Sequence, residues 1–396
     1  MKVLLLVMDG AGDVGKQTPL SLARKPVMER LASRGQVGLL DIGYKNTVDS
    51  DIGYLTLLGS YSRKTYPGRG YLSALAFPGL KIRDDDICIR GNFATLDDNG
   101  MLIDRRAGRD MTGLDELARK LDGMEIDGVR FIVKHRDVFG HRILIIMRGS
   151  GLSEDIVPND PKKTGAPLPQ VGAKNQGARK TASVLNRFLY RAHSILSKEK
   201  ANKRRRFPAN AILVRNAGRK KDSPGVQKTL GMKGCCIAGI PIAKGVARFL
   251  GMDVAEVPGT TGLPRTNLKG KFGAALKALE RCDLVFLHVN GTDIASHDRD
   301  PELKREIIEH VDRELGNLLK TIDLEKVIVI VTCDHRTASS PEWKGYEHLN
   351  LPVPVLISGS GIRPVSNSGF SEASCEKGFR IKGNELILFA LKMAKG

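Results

Sequence analysis

A chain of 396 residues, 41% hydrophobic and 27% charged, has the balance of an ordinary globular protein and the length for two domains. No apolar run approaches the ~20 residues that span a bilayer. Lys2 is followed by only six apolar residues before Asp9, too few for a signal peptide, so a membrane-free, cytoplasmic protein is expected.

The net charge of +19 is local: between Lys174 and Lys221 stand fifteen Lys/Arg and a single acid, Glu199. Such a block attracts nucleic acid, an anionic membrane face or a phosphorylated metabolite, or simply forms a solvated helix face. Aromatics at 5% argue against a stacking platform for single strands, and no nucleic-acid-reading motif is present. The six cysteines (Cys88, Cys235, Cys236, Cys282, Cys333, Cys375) show no framework spacing and read as buried thiols of a reducing compartment.

In chain order, Val3–Asp9 (VLLLVMD) is an apolar run ending in Asp, followed by the glycine turn MDGAGD. Thr18-Pro19 opens a helix expected to run to about Arg34, with Leu20, Leu22, Val27 and Leu31 toward a sheet, and QVGLLDIG is a second strand. Lys45–Leu58 reads as a polar turn and then a helix opening near Ser50, whose dipole and unpaired N–H groups favour an anion. The residues alone leave Ser50 as an N-cap, the commonest task of Ser there.

From about Gly68 short strands (DICIRGNFATL, VRFIVK, RILIIMRG) alternate with turns, followed by a loop over Val157–Gly172, the basic helical segment and the strand PANAILVRNAG. This texture predicts an inserted α+β domain over 67–225 inside a discontinuous α/β domain of 1–66 and 226–396, with Gly218–Gly225 as return linker. The outer domain resumes with strand, turn and helix through Gly251, a helix over Leu268–Leu279, and an amphipathic helix Glu302–Leu319 carrying Leu303, Ile307, Ile308, Val311, Leu315 and Leu318.

Three apolar strands therefore end in hard or borderline ligands: Val3–Asp9, Leu284–His297 (closing on Asp293-x-x-x-His297), and Val327–His335 (VIVIVTCDH). Unbroken β-branched runs belong to parallel sheets buried on both faces, whose ligands bind beyond the carboxyl ends of the strands. With His348, just before the last strand LPVPVLISG, the set is about what two divalent ions require, and His/Asp mixtures suit Zn²⁺, Mn²⁺ or Fe. Paired metals recur in phosphoryl transfer, and Ser50 would supply a nucleophile.

The order Asp, Ser, Asp-x-x-x-His, Asp-His, His resembles the alkaline phosphatase superfamily. Together with MDGAGD, GRG, RGNFATLD, DRRAGR, CIAG, FLHV, DHRT and PVPVLISG, it resembles the archaeal branch of cofactor-independent phosphoglycerate mutases. The resemblance implies an alkaline-phosphatase-like, mostly parallel sheet sandwiched by helices, with an inserted transferase domain. It implies one metal at Asp293, His297 and His348 and a second at Asp9, Ser50, Asp334 and His335, the ions being Mn, Mg or Zn. Ser50 would be transiently phosphorylated, without 2,3-bisphosphoglycerate, while 3- and 2-phosphoglycerate interconvert. Arg90, Asn92, Arg106, Arg109, Arg215 and Lys244 would bind the anionic substrate, each with a surface ion pair as its ordinary alternative. The chain departs from the family pattern at Asp49 and Tyr54 (Gly and His expected), at Asn216 (Gly expected) and at Pro264-Arg265. Two rivals stand beside this reading: a phosphatase or phosphodiesterase with the same site, and a nucleic-acid-binding protein using 174–221.

Overall fold

The structure is a computed structural model that describes residues 1–43, 49–137, 140–343, 348–365 and 369–395. The chain packs as two units, Met1–Lys64 with Ser223–Gly396, and Thr65–Asp222.

The first unit is built on an eight-stranded sheet in the order Asp253–Ala255, Gly234–Ile237, Leu284–Val289, Lys2–Met8, Val327–Thr332, Val353–Gly359, Gln36–Asp41, Phe379–Lys382. The first five are mutually parallel, and Val353–Gly359 runs antiparallel to both neighbours. The last pair is parallel again, so the sheet is mostly parallel, as expected. Lys2–Met8, Leu284–Val289 and Val327–Thr332 lie side by side with Val7 opposite both His288 and Thr332. In these central strands nearly every residue is buried, which is why they read as continuous apolar runs rather than alternating ones.

The Pro301–Leu319 helix buries Ile307, Ile308, Val311, Leu315 and Leu318 as expected, while Leu303 is only half-buried. It also buries two charges the apolar pattern conceals, Lys304 and Asp312. Lys304 Nζ donates to Asp13 Oδ2 at 2.9 Å, Thr337 O at 2.8 Å and Gly12 O at 3.2 Å. Asp312 accepts from the Val27 and Met28 N–H groups at the start of another helix.

The helix expected from Thr18 to Arg34 is two helices, Pro19–Leu22 and Pro26–Ser33. Pro26 disfavours helical geometry at Lys25, and the break leaves Leu22 exposed instead of facing the sheet. Thr18 caps the first piece through a reciprocal Thr18–Ser21 pair. Of the turn expected over Lys45–Leu58, Lys45–Val48 lie outside the described residues. All six cysteines are buried and free. No helix among the described residues is long and apolar enough to cross a membrane.

The second unit is a sheet of Ala211–Gly218, Ile87–Leu96, Arg142–Arg148, Val129–Lys134 and Glu125–Ile126 in antiparallel order, with Leu102–Asp104 pairing Ile87–Leu96. Helices Leu114–Leu121 and Arg179–Leu196 supply Leu117, Val184, Leu185 and Phe188 to a core shared with Ile89, Phe93, Ile143, Ile145 and Val214 of the sheet. Phe188 stacks on Phe131 with centroids 4.1 Å apart. Side chains alternate across a strand, so the opposite face carries Arg90, Asn92, Arg142 and Arg215. Asn92 is opposite Arg142 and Arg90 opposite Arg215, which gathers three guanidinium groups on one sheet face.

Candidate active site

In the first unit, three parallel strands end at one edge and deliver their next residues there. Asp9 follows Met8 directly, and Asp334–His335 follow Val327–Thr332 by two residues. Asn290 leads into the Gly291–His297 helix, where Asp293 sits in the first turn and His297 in the last, one above the other. Asp293 Oδ2 lies 3.4 Å from His297 Nε2. His348 arrives from another direction: Arg336 pairs with Leu349 in a short antiparallel bridge, and Arg336 Nε donates to Pro352 O. That bridge sets the His335 and His348 rings face to face, centroids 3.9 Å apart.

The result is two adjacent ligand sets, Asp293–His297–His348 and Asp9–Asp334–His335, each with its donor atoms within 4.8 Å of one another. In the first, His348 Nε2 is 3.3 Å from His297 Nε2 and 3.7 Å from Asp293 Oδ1. In the second, His335 Nε2 is 3.3 Å from both Asp9 Oδ1 and Asp334 Oδ2. Gly10 N–H donates to the other Asp334 oxygen. A Cβ on Gly10, whose φ is +60°, would sit 2.8 Å from Asp293 Oδ1, so glycine is what lets the two sets lie this close.

Thr337 joins the sets from behind. Its hydroxyl donates to Asp293 Oδ1 at 3.2 Å and accepts from His335 Nδ1–H at 2.9 Å. With Nδ1 donating to Thr337, Nε2 is the nitrogen that faces the carboxylates.

The electrostatics of this cluster call for a cation. Asp9 Oδ1 and Asp334 Oδ2 are buried without a hydrogen-bond partner. Burial, then the Asp9 carboxylate, push Asp334 well above the ordinary carboxylate range. Burial works the same way on Asp9, but the His288 and His335 imidazoles outweigh it and hold Asp9 well below that range. Burial also disfavours the His335 imidazolium, yet Asp334 and Asp9 raise it to about 9. Orphaned carboxylate oxygens facing an imidazole nitrogen are the chemistry of a divalent-metal site, and the residues present fit two such ions.

Ser50 is the first residue of the Ser50–Leu57 helix; the cap position belongs to Asp49, which corrects the N-cap reading. Its Oγ lies 3.4 Å from His335 Nε2. The helix approaches this closely because Gly53 has no side chain: a Cβ there would meet Asp334 Cβ at 2.8 Å. Ser50 therefore stands beside the second ligand set, at a helix N-terminus suited to an anion.

Two groups behind Asp9 were not anticipated from the sequence. Tyr54, one helical turn past Ser50, donates its hydroxyl to Asp9 Oδ2. His288 Nε2 lies 2.8 Å from the Tyr54 hydroxyl and 3.1 Å from Asp9 Oδ2. Both side chains are fully buried. The local signals were a His inside the otherwise apolar strand LVFLHV and Tyr54 standing where the family pattern has His.

In the second unit, Arg215 Nη2 donates to Asn92 Oδ1 at 3.3 Å and its Nη1 lies 3.6 Å from Asp160, which also accepts from Arg105 and from the Lys162 N–H. Arg142, absent from the sequence-based set, is half-buried, with its Nε buried and unpartnered. Burial, and then the neighbouring guanidiniums of Arg69, Arg215, Arg106 and Arg109, bring it down to about 10. The same pattern takes His141 to about 3. Arg106 and Arg109 lie on a loop in which Ala107, Gly108 and Arg109 all adopt positive φ. Arg205 clamps that loop: its guanidinium donates to the Ala107, Asp110 and Thr112 carbonyls. One member of the basic run Lys203–Arg206 is thus structural. Asn216, where glycine was expected, has φ +53° at a register shift between Arg215 and Gly218; Asn tolerates that conformation better than most residues. Lys244, in the first unit on the Pro241–Phe249 helix, places its ammonium on Glu256.

A family model described as "Metalloenzyme superfamily" matches residues 1–393. A 2,3-bisphosphoglycerate-independent phosphoglycerate mutase of Methanococcus aeolicus is 38% identical, the match covering 99% of this chain and 98% of the relative. The chain belongs to this mutase family. A second member, from Thermococcus kodakarensis, is 37% identical over 98% of this chain and 95% of its own. Among solved structures, the cofactor-independent phosphoglycerate mutase of Thermoplasma acidophilum superposes with TM-score 0.69 at 32% identity, covering all of both chains. A Pyrococcus horikoshii protein superposes with TM-score 0.84 at 30% identity, over 100% of this chain and 97% of that one.

Proposed function

We propose that this chain interconverts 3-phosphoglycerate and 2-phosphoglycerate through a phosphoserine at Ser50. The observation that carries this reading is the placement of Ser50 Oγ at a helix N-terminus, 3.4 Å from His335, beside two adjoining Asp/His sets. Asp293, His297 and His348 would hold one divalent cation, and Asp9, Asp334, His335 and Ser50 the other. Such cations lower the pKa of a bound hydroxyl and neutralise phosphoryl charge.

Ser50 loses its proton, its Oγ bonds to phosphorus, and the bond from phosphorus to the glycerate oxygen breaks as that oxygen takes a proton. The second glycerate hydroxyl then attacks the phosphoserine, the Ser50 P–O bond breaks, and Ser50 recovers its proton. The positive end of the helix that opens at Ser50 would stabilise the transferring group. In the second unit, Arg90, Asn92, Arg142 and Arg215, with Arg106 and Arg109, form a face of donors that suits the carboxylate or phosphate of an anionic substrate. Asp160, shared with Arg105, leaves these guanidiniums in excess, and that excess is what a dianionic or trianionic substrate would balance.

Incubation with Mn²⁺ and 3-phosphoglycerate tests the reading: the isomer forms without stoichiometric free phosphate, and chelation abolishes the reaction until Mn²⁺ is restored. Phosphate release alone would assign the site to a phosphatase.

The arginine face gives a second prediction with opposed signs. Arg142→Met removes a half-buried charge whose Nε is buried with no partner, so the unfolding midpoint stays level or rises. The same change raises KM for phosphoglycerate about 10–100-fold, the worth of one hydrogen bond to a charged group. Unchanged KM with lowered stability would make Arg142 a structural residue.

A further inference from the structure

The Asp9 carboxylate is divided. Oδ2 accepts from the Tyr54 hydroxyl and lies 3.1 Å from His288 Nε2, while Oδ1 is buried, unpartnered and turned toward His335 Nε2. The His288 Nδ1 atom is also buried without a partner, so the ring's proton is best placed on Nε2, where it can be donated to the Tyr54–Asp9 pair. A carboxylate oxygen accepts, so the Tyr54 hydroxyl is the donor in this bond. The ring is fixed as well: Tyr54 packs edge-on against His288 at 5.0 Å and against Phe286 at 5.7 Å. One residue of a buried strand, His288, and one helical residue, Tyr54, thus meet on a single carboxylate oxygen.

We propose that Tyr54 and His288 are positioning residues that hold Asp9 as a one-oxygen ligand, with Oδ2 occupied by donors and Oδ1 presented to the cation beside Ser50. The inference rests on the two-cation reading above. A carboxylate held this way would not swing to chelate with both oxygens, which would leave room at a bound cation for Ser50 and a phosphoryl oxygen. Both residues act through Asp9 and neither contacts the reacting atoms.

The test is metal binding by the intact metal-free chain, read by calorimetry with Mn²⁺ and by the visible absorption of the Co²⁺-loaded protein. In the wild type two binding phases are expected, and His297→Ala identifies the phase of the Asp293 set by removing it. Tyr54→Phe, which deletes one oxygen and keeps the ring, weakens the remaining phase about 10–100-fold, the usual effect of losing such an outer partner. It also changes the Co²⁺ spectrum, because a released Oδ2 alters coordination, and leaves the Asp293-set phase unmoved. His288→Phe must act on the same phase in the same direction. Wild-type protein that takes up no Mn²⁺ would overturn the two-cation reading itself. Two wild-type phases with Tyr54→Phe matching both affinity and spectrum would overturn the positioning role alone.

Discussion

Ser50→Ala lowers mutase turnover by about 10⁴-fold or more, the scale on which enzymes lose rate when a covalent nucleophile is removed. The loss is expected without a matching loss of stability. Ser50 is the first helical residue and not the cap, so the ~1 kcal/mol that a capping Ser contributes is not at stake. Its described side-chain contact is the 3.4 Å approach to His335. The unfolding midpoint of the metal-free variant should therefore stay near that of the wild type, and the Asp293-set metal affinity should be unchanged. Phosphoserine trapped by acid quench of the wild type with labelled substrate, and absent from Ser50→Ala, is the direct check. A variant that keeps even a tenth of the isomerase rate would remove Ser50 from the chemistry and leave the two ligand sets without a nucleophile.

The second large effect lies behind the site. Lys304→Ala destabilises the protein by about 3–5 kcal/mol, because it leaves the Asp13 carboxylate buried without its cation. Each of the three ammonium protons has an acceptor, Asp13, Gly12 or Thr337, so the pair is fully satisfied and its loss is uncompensated. Asp13 also accepts from the Ser339 hydroxyl at 2.6 Å. One buried ion pair therefore joins the loop after Asp9 to the loop after His335. Urea unfolding gives the magnitude, and the double variant Lys304→Met/Asp13→Asn should recover part of it, since no bare charge remains. A Lys304→Ala variant within 1 kcal/mol of the wild type, a value well under the expected loss for a buried pair, would show that water reaches Asp13. Metal affinity should fall along with stability, because both loops adjoin candidate ligands, Asp9 and His335.

The convergence of the polar strand ends was legible in the sequence because a strand buried on both faces has to be an unbroken apolar run, and the first polar residue beyond it lies at the sheet edge. Asp9, Asp334 and His335 follow from that rule, and Asp293 and His297 from the i, i+4 spacing of a helix. The texture break near Gly68 was visible for a similar reason, since short alternating strands differ from buried parallel ones. The proline that splits the first helical stretch was also there to be read, at Pro26, and was outweighed by the apolar spacing around it. What local pattern could not carry was partnership. Tyr54 and His288 are separated by 234 residues, Lys304 and Asp13 by 291, and nothing in either local stretch names the other. Lys304 occupies a helix whose apolar spacing is satisfied without it, and Arg142 gains its meaning from strand register that places it opposite Asn92. Sequence periodicity sets which face of an element is buried, whereas only the packed tertiary structure decides which buried polar groups meet, because those contacts are made across the sheet and not along the chain.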